Sequence, residues 1–281
     1  MANADQNTPK DGWRKRADHI HTLPLWDGDR SMLLHLPAGM NAGNPPPTVV
    51  VCAGGGYTNR CYHEGFTVVL WLALNGFAAV EVPYTTAQDL EALGKRGEPL
   101  GLRPVSDACR AIRVVRDHAD QFGLSPDKVG VMGFSAGGHL AGSAALLHAE
   151  TDHADDLSGT WPGRPDFAVL VYPVISMVEP CHQGSVNNLL GKSASDTEKA
   201  SRSLQMRVTP DAPPLFLVHS QDDKSVPIHG AYELADAYRT QGIPFEAHFF
   251  PRGGHGYGLA LDDPMLRAWP DLLANWLRFL S

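Results

Sequence analysis

Six short apolar runs separated by helical patterns constrain the fold of this chain more than any other feature. The runs are "TVVVC" (48–52), "FAAVEV" (77–82), "VGVMGF" (129–134), "FAVLVY" (167–172), "LFLVHS" (215–220) and "FEAHFF" (245–250). They are rich in Val, Phe and Leu, and several lack polar alternation, which is how strands buried on both faces read. Between them lie "TVVLWLALNG", "VSDACRAIRVVRDHADQFG", "AGGHLAGSAALLHAE" and "HGAYELADAYRTQG". The second carries Val105, Ala108, Ile112, Val115 and Ala119 at helical spacing and stops at Gly123. A last helical pattern, "MLRAWPDLLANWLRFL", is broken or restarted at Pro270. Strands alternating with helices predict an α/β fold, with a mostly parallel central sheet and helices on both faces.

The chain has 281 residues, 43% of them hydrophobic, enough for one sizeable core. "PAGMNAGNPPP" (37–47) reads as a connection, because the segment before it is too short to be a domain. Residues 1–281 are therefore expected to form a single domain without a large lid, with about residues 1–20 a flexible N-terminal segment. A net charge of −8 without a basic block argues against nucleic acid as a partner. No run approaches the ~18 apolar residues of a membrane span. The polar N-terminus has no apolar region of a signal peptide, so the expected location is cytoplasmic. Cys52, Cys61, Cys109 and Cys181 form no CxxC pair, which argues against a cysteine-built zinc site. Cys52 and Cys109 read as buried thiols. The acidic run "ETDHADD" (150–156) reads as a solvated helix end. A homo-oligomer stays open.

In sheets of this kind, sites lie beyond the carboxyl ends of the strands. Ser135 follows "VGVM" and precedes the helical "AGGHLAGSAALL", with Gly133 and Gly137 two positions to either side. A nucleophile on a sharp strand-to-helix turn needs tiny residues at those two positions. The backbone N–H of Ala136 would then face a developing oxyanion. "AGGGY" (53–57) follows "TVVVC", where esterases carry an HGGG oxyanion loop, here with Ala53 in place of His. Gly55 and Gly56 are the expected N–H donors, since such donors need no side chain. A phosphate loop is excluded because no G-K-[ST] follows. Asp222 and Asp223 follow "LFLVHS", and either could orient an imidazole. His255 follows "FEAHFF" in the glycine-flanked "PRGGHGYG".

The order Ser135, aspartate, His255 is that of the α/β hydrolases. The chain resembles that superfamily, and within it the acetylxylan-esterase-like group of bacterial esterases. The matching stretches are "GGGY…HEG", "DACRAIRVVR", "VGVMGFSAGGHLA", "RPDFAVLVYPVISM", "NLLG", "TPDAPPLFLVHSQDDKSVP" and "GGHGYG", over about residues 45–260. The group commonly has Pro where Ala53 stands and a "KYR"-type ending where this chain has "PYTTA" (83–87). The resemblance favours Asp223 over Asp222, because Asp223 stands at the family's spacing from "VP".

The resemblance implies hydrolysis of a short-chain acyl ester, with an acetyl ester of a xylan-type carbohydrate as substrate. Ser135 is the expected nucleophile, His255 the base and Asp223 its partner. Gly55, Gly56 and Ala136 form the expected oxyanion hole, and neither a metal nor an organic cofactor is called for. Tyr57, His63, Glu64, Asn187 and Asn188 are candidates for binding sugar hydroxyls. A general short-chain carboxylesterase and an amide or formamide hydrolase are the alternatives. A prolyl-oligopeptidase-type peptidase would need a large extra domain. A non-catalytic ligand-binding relative would typically lack a triad member, and all three are present. "PYTTAQDLEALGKRGEPLGL" and "YPVISMVEPCHQGSVNNLLGKSASD" leave strand ends and are expected to wall the site as loops with short helices.

Overall fold

The computed structural model of the protein describes residues 19–28, 30–41, 43–151 and 155–280. Its strands are β1 (Ile20–Pro24), β2 (Ser31–His35), β3 (Thr48–Cys52), β4 (Ala78–Glu81), β5 (Val129–Phe134), β6 (Ala168–Val171), β7 (Leu215–Ser220) and β8 (Phe245–Phe250). They form one sheet in the order β1-β2-β4-β3-β5-β6-β7-β8. β2 is antiparallel to β1 and β4, and every pairing from β4 through β8 is parallel. The helices are α1 (Phe66–Leu74), α2 (Ala87–Ala92), α3 (Arg103–Asp117), α4 (Ala119–Phe122), α5 (Ser135–Leu146), α6 (Gln183–Leu190), α7 (Asp196–Ser201), α8 (His229–Gln241) and α9 (Ala268–Phe279). The six apolar runs are all strands. Residues 1–18 of the N-terminal segment lie outside the described residues, and Ile20 already opens β1.

Each central strand is apolar throughout because it feeds two cores. Val50, Val131, Leu170 and Leu217 pack with Ile112 of α3, Leu140 of α5 and Leu234 of α8. Their strand neighbours Val49, Met132, Val169 and Phe216 point the other way, onto Leu72 of α1 and Trp269, Leu273 and Leu277 of α9. Cys52 and Cys109 are buried, and none of the four cysteines is in a disulfide.

Two helices differ from expectation. The pattern over 105–123 is split at His118, whose ring Nδ1 bonds back to the Val114 carbonyl at 2.9 Å. Gly123 does end the second piece, in a left-handed conformation at φ 65°. Pro270 does not break the last helix. It sits in the first turn of α9, where a missing N–H costs nothing.

The acidic run after α5 is not the solvated end its composition suggests, although Asp152 and His153 lie outside the described residues. Asp155 pairs with Arg113 at 2.7 Å, and both side chains are 1% exposed. Arg110 also reaches Asp155, at 3.3 Å, and Glu150 pairs with Arg202 and Arg207. The arginine face of α3 is thus covered by the chain that follows α5. Asp156, 75% exposed, is the one described aspartate of the run that fits the surface reading.

Asp155→Asn removes the buried carboxylate that faces both Arg113 and Arg110, and is expected to lower unfolding stability by about 3 kcal/mol, measured by urea denaturation.

Candidate active site

Ser135 directly follows β5 and begins α5 with φ 52°, a left-handed conformation that a non-glycine residue adopts only under constraint. The constraint is backbone against backbone. A Cβ on Gly133 would overlap the Gly137 carbonyl, and one on Gly137 would overlap the carbonyls of Cys52 and Ala53. Glycine at both positions lets the helix start lie directly on the end of β3. Gly138 has a similar reason, since a Cβ there would stand 2.7 Å from the Pro173 Cβ.

His255 reaches this turn from the loop after β8. Its Nε2 lies 2.9 Å from the Ser135 hydroxyl, and its Nδ1 lies 2.6 Å from Asp223 Oδ2. A carboxylate only accepts, so Nδ1 carries the proton and Nε2 faces Ser135 with its lone pair. Asp223 Oδ1 accepts the N–H groups of Ser225 and Val226, each at 2.9 Å, and His219 Nε2 lies 3.2 Å from Oδ2. Burial works to raise the Asp223 pKa. Hydrogen bonds from His219, His255 and the Val226 N–H outweigh it and hold the carboxyl far below the usual range. The neighbouring Asp222 has a different partner: its Oδ1 accepts the Gly254 N–H at 2.8 Å and pins the turn next to His255.

The glycine loop is braced from beneath. Gly54 N–H donates to Glu64 Oε2 at 3.1 Å, and Tyr172 O–H donates to Glu64 Oε1 at 2.6 Å. The Tyr172 oxygen in turn accepts the Gly258 N–H at 2.9 Å. One buried carboxylate thereby ties the ends of β3 and β6 to the loop carrying His255. The Tyr172 ring also packs edge-on against His255, centroids 4.9 Å apart. Gly55 and Gly56 have φ of 128° and 63°, and their N–H groups donate to no protein group among the described residues. Ala136 lies in the first turn of α5, where backbone N–H groups lack intrahelical acceptors.

Tyr57 and Glu64 are not placed to bind a sugar. Tyr57 is fully buried, and its hydroxyl lies 2.8 Å from His139 Nδ1. Glu64 is 3% exposed, and its oxygens are taken by Gly54 and Tyr172. Tyr57 follows three glycines and Glu64 precedes Gly65, contexts that read as accessible, but both side chains turn inward. His63 is exposed, with Nε2 3.2 Å from the Gly256 carbonyl beside His255. Asn188 donates to the Gly56 carbonyl and the Thr58 hydroxyl, both at 2.9 Å, so it steadies the glycine loop. Asn187 bonds Gln183 within α6.

Four residues join the site without a local sequence signal: Tyr172, His219, His139 and His182. His139 lies one turn into α5. Its Nε2 is 2.8 Å from the Arg202 carbonyl, so that nitrogen donates and Nδ1 accepts from Tyr57. His182 precedes α6, and its Nδ1 accepts the Ser185 N–H at 3.2 Å. Among the described residues no group of three or more His, Cys, Asp or Glu is arranged to hold a metal ion, and no helix is long and apolar enough to cross a membrane.

Comparisons with known proteins agree with this architecture. The family model described as BD-FAE matches residues 33–238. The chain is similar to an acetyl ester-xyloside bifunctional hydrolase from Caldicellulosiruptor lactoaceticus, at a TM-score of 0.81 and 34% identity over 92% of this chain and 96% of that one. It is 36% identical to endo-1,4-beta-xylanase B of Butyrivibrio fibrisolvens over 76% of the chain and 33% of the relative. It is 32% identical to an acetylxylan esterase of Xylanibacter ruminicola over 90% of the chain and 48% of the relative. The chain thus spans a third to a half of the length of these two curated relatives. The α/β-hydrolase fold and the resemblance to acetylxylan esterases both hold.

Burial pulls the His139 pKa down to about 4, although the Arg202 carbonyl favours the charged form. The unfolded chain binds this proton near pH 6.5 and the folded protein does not. The contribution is intact above about pH 6.5 and is lost as pH falls toward 4, reaching about 3 kcal/mol. Urea midpoints between pH 7 and 4 should therefore fall more steeply in the wild type than in His139→Gln. A second expectation concerns the loop anchor. Asp222→Ala frees the Gly254 N–H and should lower kcat about tenfold with KM nearly unchanged, read from steady-state kinetics on p-nitrophenyl acetate.

Proposed function

Because the chain belongs to the BD-FAE family, we propose that it is a serine carboxylic-ester hydrolase that works through an acyl-enzyme on short-chain acyl esters. Its favoured substrate is an acetyl ester on a xylan-type carbohydrate. The observation that carries the reading is the Ser135–His255–Asp223 chain of hydrogen bonds, 2.9 Å and 2.6 Å long, on a strained turn beside glycine N–H groups that have no partner among the described residues.

In this reading the Ser135 oxygen attacks the ester carbonyl while His255 Nε2 takes the hydroxyl proton. The imidazolium that forms is stabilised by Asp223, which the surrounding donors keep ionised. The N–H groups of Gly55, Gly56 and Ala136 hold the tetrahedral oxyanion, each such donor contributing about 3–4 kcal/mol. His255 then protonates the leaving alcohol, and the C–O bond to it breaks. Water, deprotonated by the same imidazole, attacks the acyl-serine and releases the acid. The carbohydrate assignment is supported by the relatives described as an acetylxylan esterase and as an acetyl ester-xyloside hydrolase. A short acyl group suits walls made of loops with helices of six to eight residues, α2, α6 and α7.

Ser135→Ala is expected to reduce turnover of p-nitrophenyl acetate by about 10⁴-fold or more, with the fold intact by circular dichroism. A fluorophosphonate probe should label the wild type and not this variant. Retained turnover in the variant overturns the assignment. Acetate release from acetylated xylan, compared with simple acetyl esters and anilides, tests the substrate class.

A further inference from the structure

His182 stands beside the proposed site with a hydrogen-bond donor that no protein group among the described residues uses. It lies on the segment between β6 and α6, and Ser135 directly follows β5, the sheet neighbour of β6. Its Cε1 is 3.6 Å from where a Cβ on Gly56 would stand. The tautomer is set by its partners. The Ser185 backbone N–H donates to Nδ1 at 3.2 Å, and the Ser185 hydroxyl lies 2.9 Å from the same atom. A backbone N–H can only donate, so Nδ1 holds a lone pair and the proton of the neutral ring is on Nε2. Nε2 has no hydrogen-bond partner among the described residues. Burial, and then repulsion from His255 in its protonated form, hold the His182 pKa below its ordinary value against the pull of the Asp223 carboxylate.

We propose that His182 reads the alcohol part of the substrate, its Nε2–H donating to a hydroxyl or ring oxygen of the sugar that bears the scissile ester. The inference rests on the ester-hydrolase reading above. An acetyl ester has few polar atoms on its acyl side. Its carbonyl oxygen is served by the backbone N–H groups of Gly55, Gly56 and Ala136, and the rest is a methyl group. A further donor next to Gly56 therefore finds a polar partner on the alcohol side. His182 would act as a specificity-determining residue, with no part in proton transfer.

The substitution His182→Asn separates this role from the helix cap. Asparagine at the N-cap keeps an acceptor for the Ser185 N–H and so retains the start of α6, while the imidazole donor is removed. His182→Ser does the same with a shorter side chain, and thermal midpoints check that both variants fold. For an acetylated xylo-oligosaccharide, kcat/KM is expected to fall about three- to tenfold in both variants, through KM. For p-nitrophenyl acetate, whose leaving group has no hydroxyl, it should stay within about twofold. An equal loss on both esters overturns the inference, because it places His182 on the reacting carbonyl. An unchanged KM for the sugar ester overturns it as well. Wild-type protein that cleaves neither ester and resists the fluorophosphonate removes the hydrolase reading itself, a result distinct from the other two.

Discussion

Everything at the site depends on one close approach, between the first turn of α5 and the end of β3. With no side chain at Gly133 or Gly137, the backbone around Ser135 lies against the carbonyls of Cys52 and Ala53. That contact holds Ser135 at φ 52°. It also fixes where the glycine loop begins, because that loop is the direct continuation of β3. A Cβ on Gly54 would stand 3.1 Å from the Ser135 Cβ, so Ser135 and the loop beside it share one small volume.

Two buried carboxylates organise the rest, in different ways. Glu64 is structural, taking a backbone N–H from the glycine loop and a hydroxyl from Tyr172. Asp223 is fixed by two backbone N–H groups at Oδ1, while Oδ2 is shared between His219 and His255. Each is satisfied by several donors, which is what makes a buried carboxylate tolerable. The adjacent Asp222 and Asp223 divide the work on one turn, one holding the loop and the other the imidazole.

Much of this could be read from the chain because it is local. The doubly apolar strands, the glycines around Ser135 and the helix stop at Gly123 carry their physical reasons within a few residues. Tyr57, Glu64 and His182 do not. Tyr57 looks like an exposed loop tyrosine until α5 supplies His139 as its partner. Glu64 resembles a surface acid until Tyr172, 108 positions later, donates to it. The acidic run at 150–156 misleads in the same way, since the arginines that bury Asp155 lie on α3, some forty residues upstream. His182 stands out only once the fold has carried it to Gly56 and Ser185 has fixed its tautomer.

The distance along the chain between Ser135 and His255 has a consequence for synthesis. The two residues are 120 positions apart, and His255 follows β8, which is the last strand and pairs with β7 alone. Synthesis delivers Ser135 long before His255, and the chain of hydrogen bonds that joins them closes only when the loop after the last strand is in place.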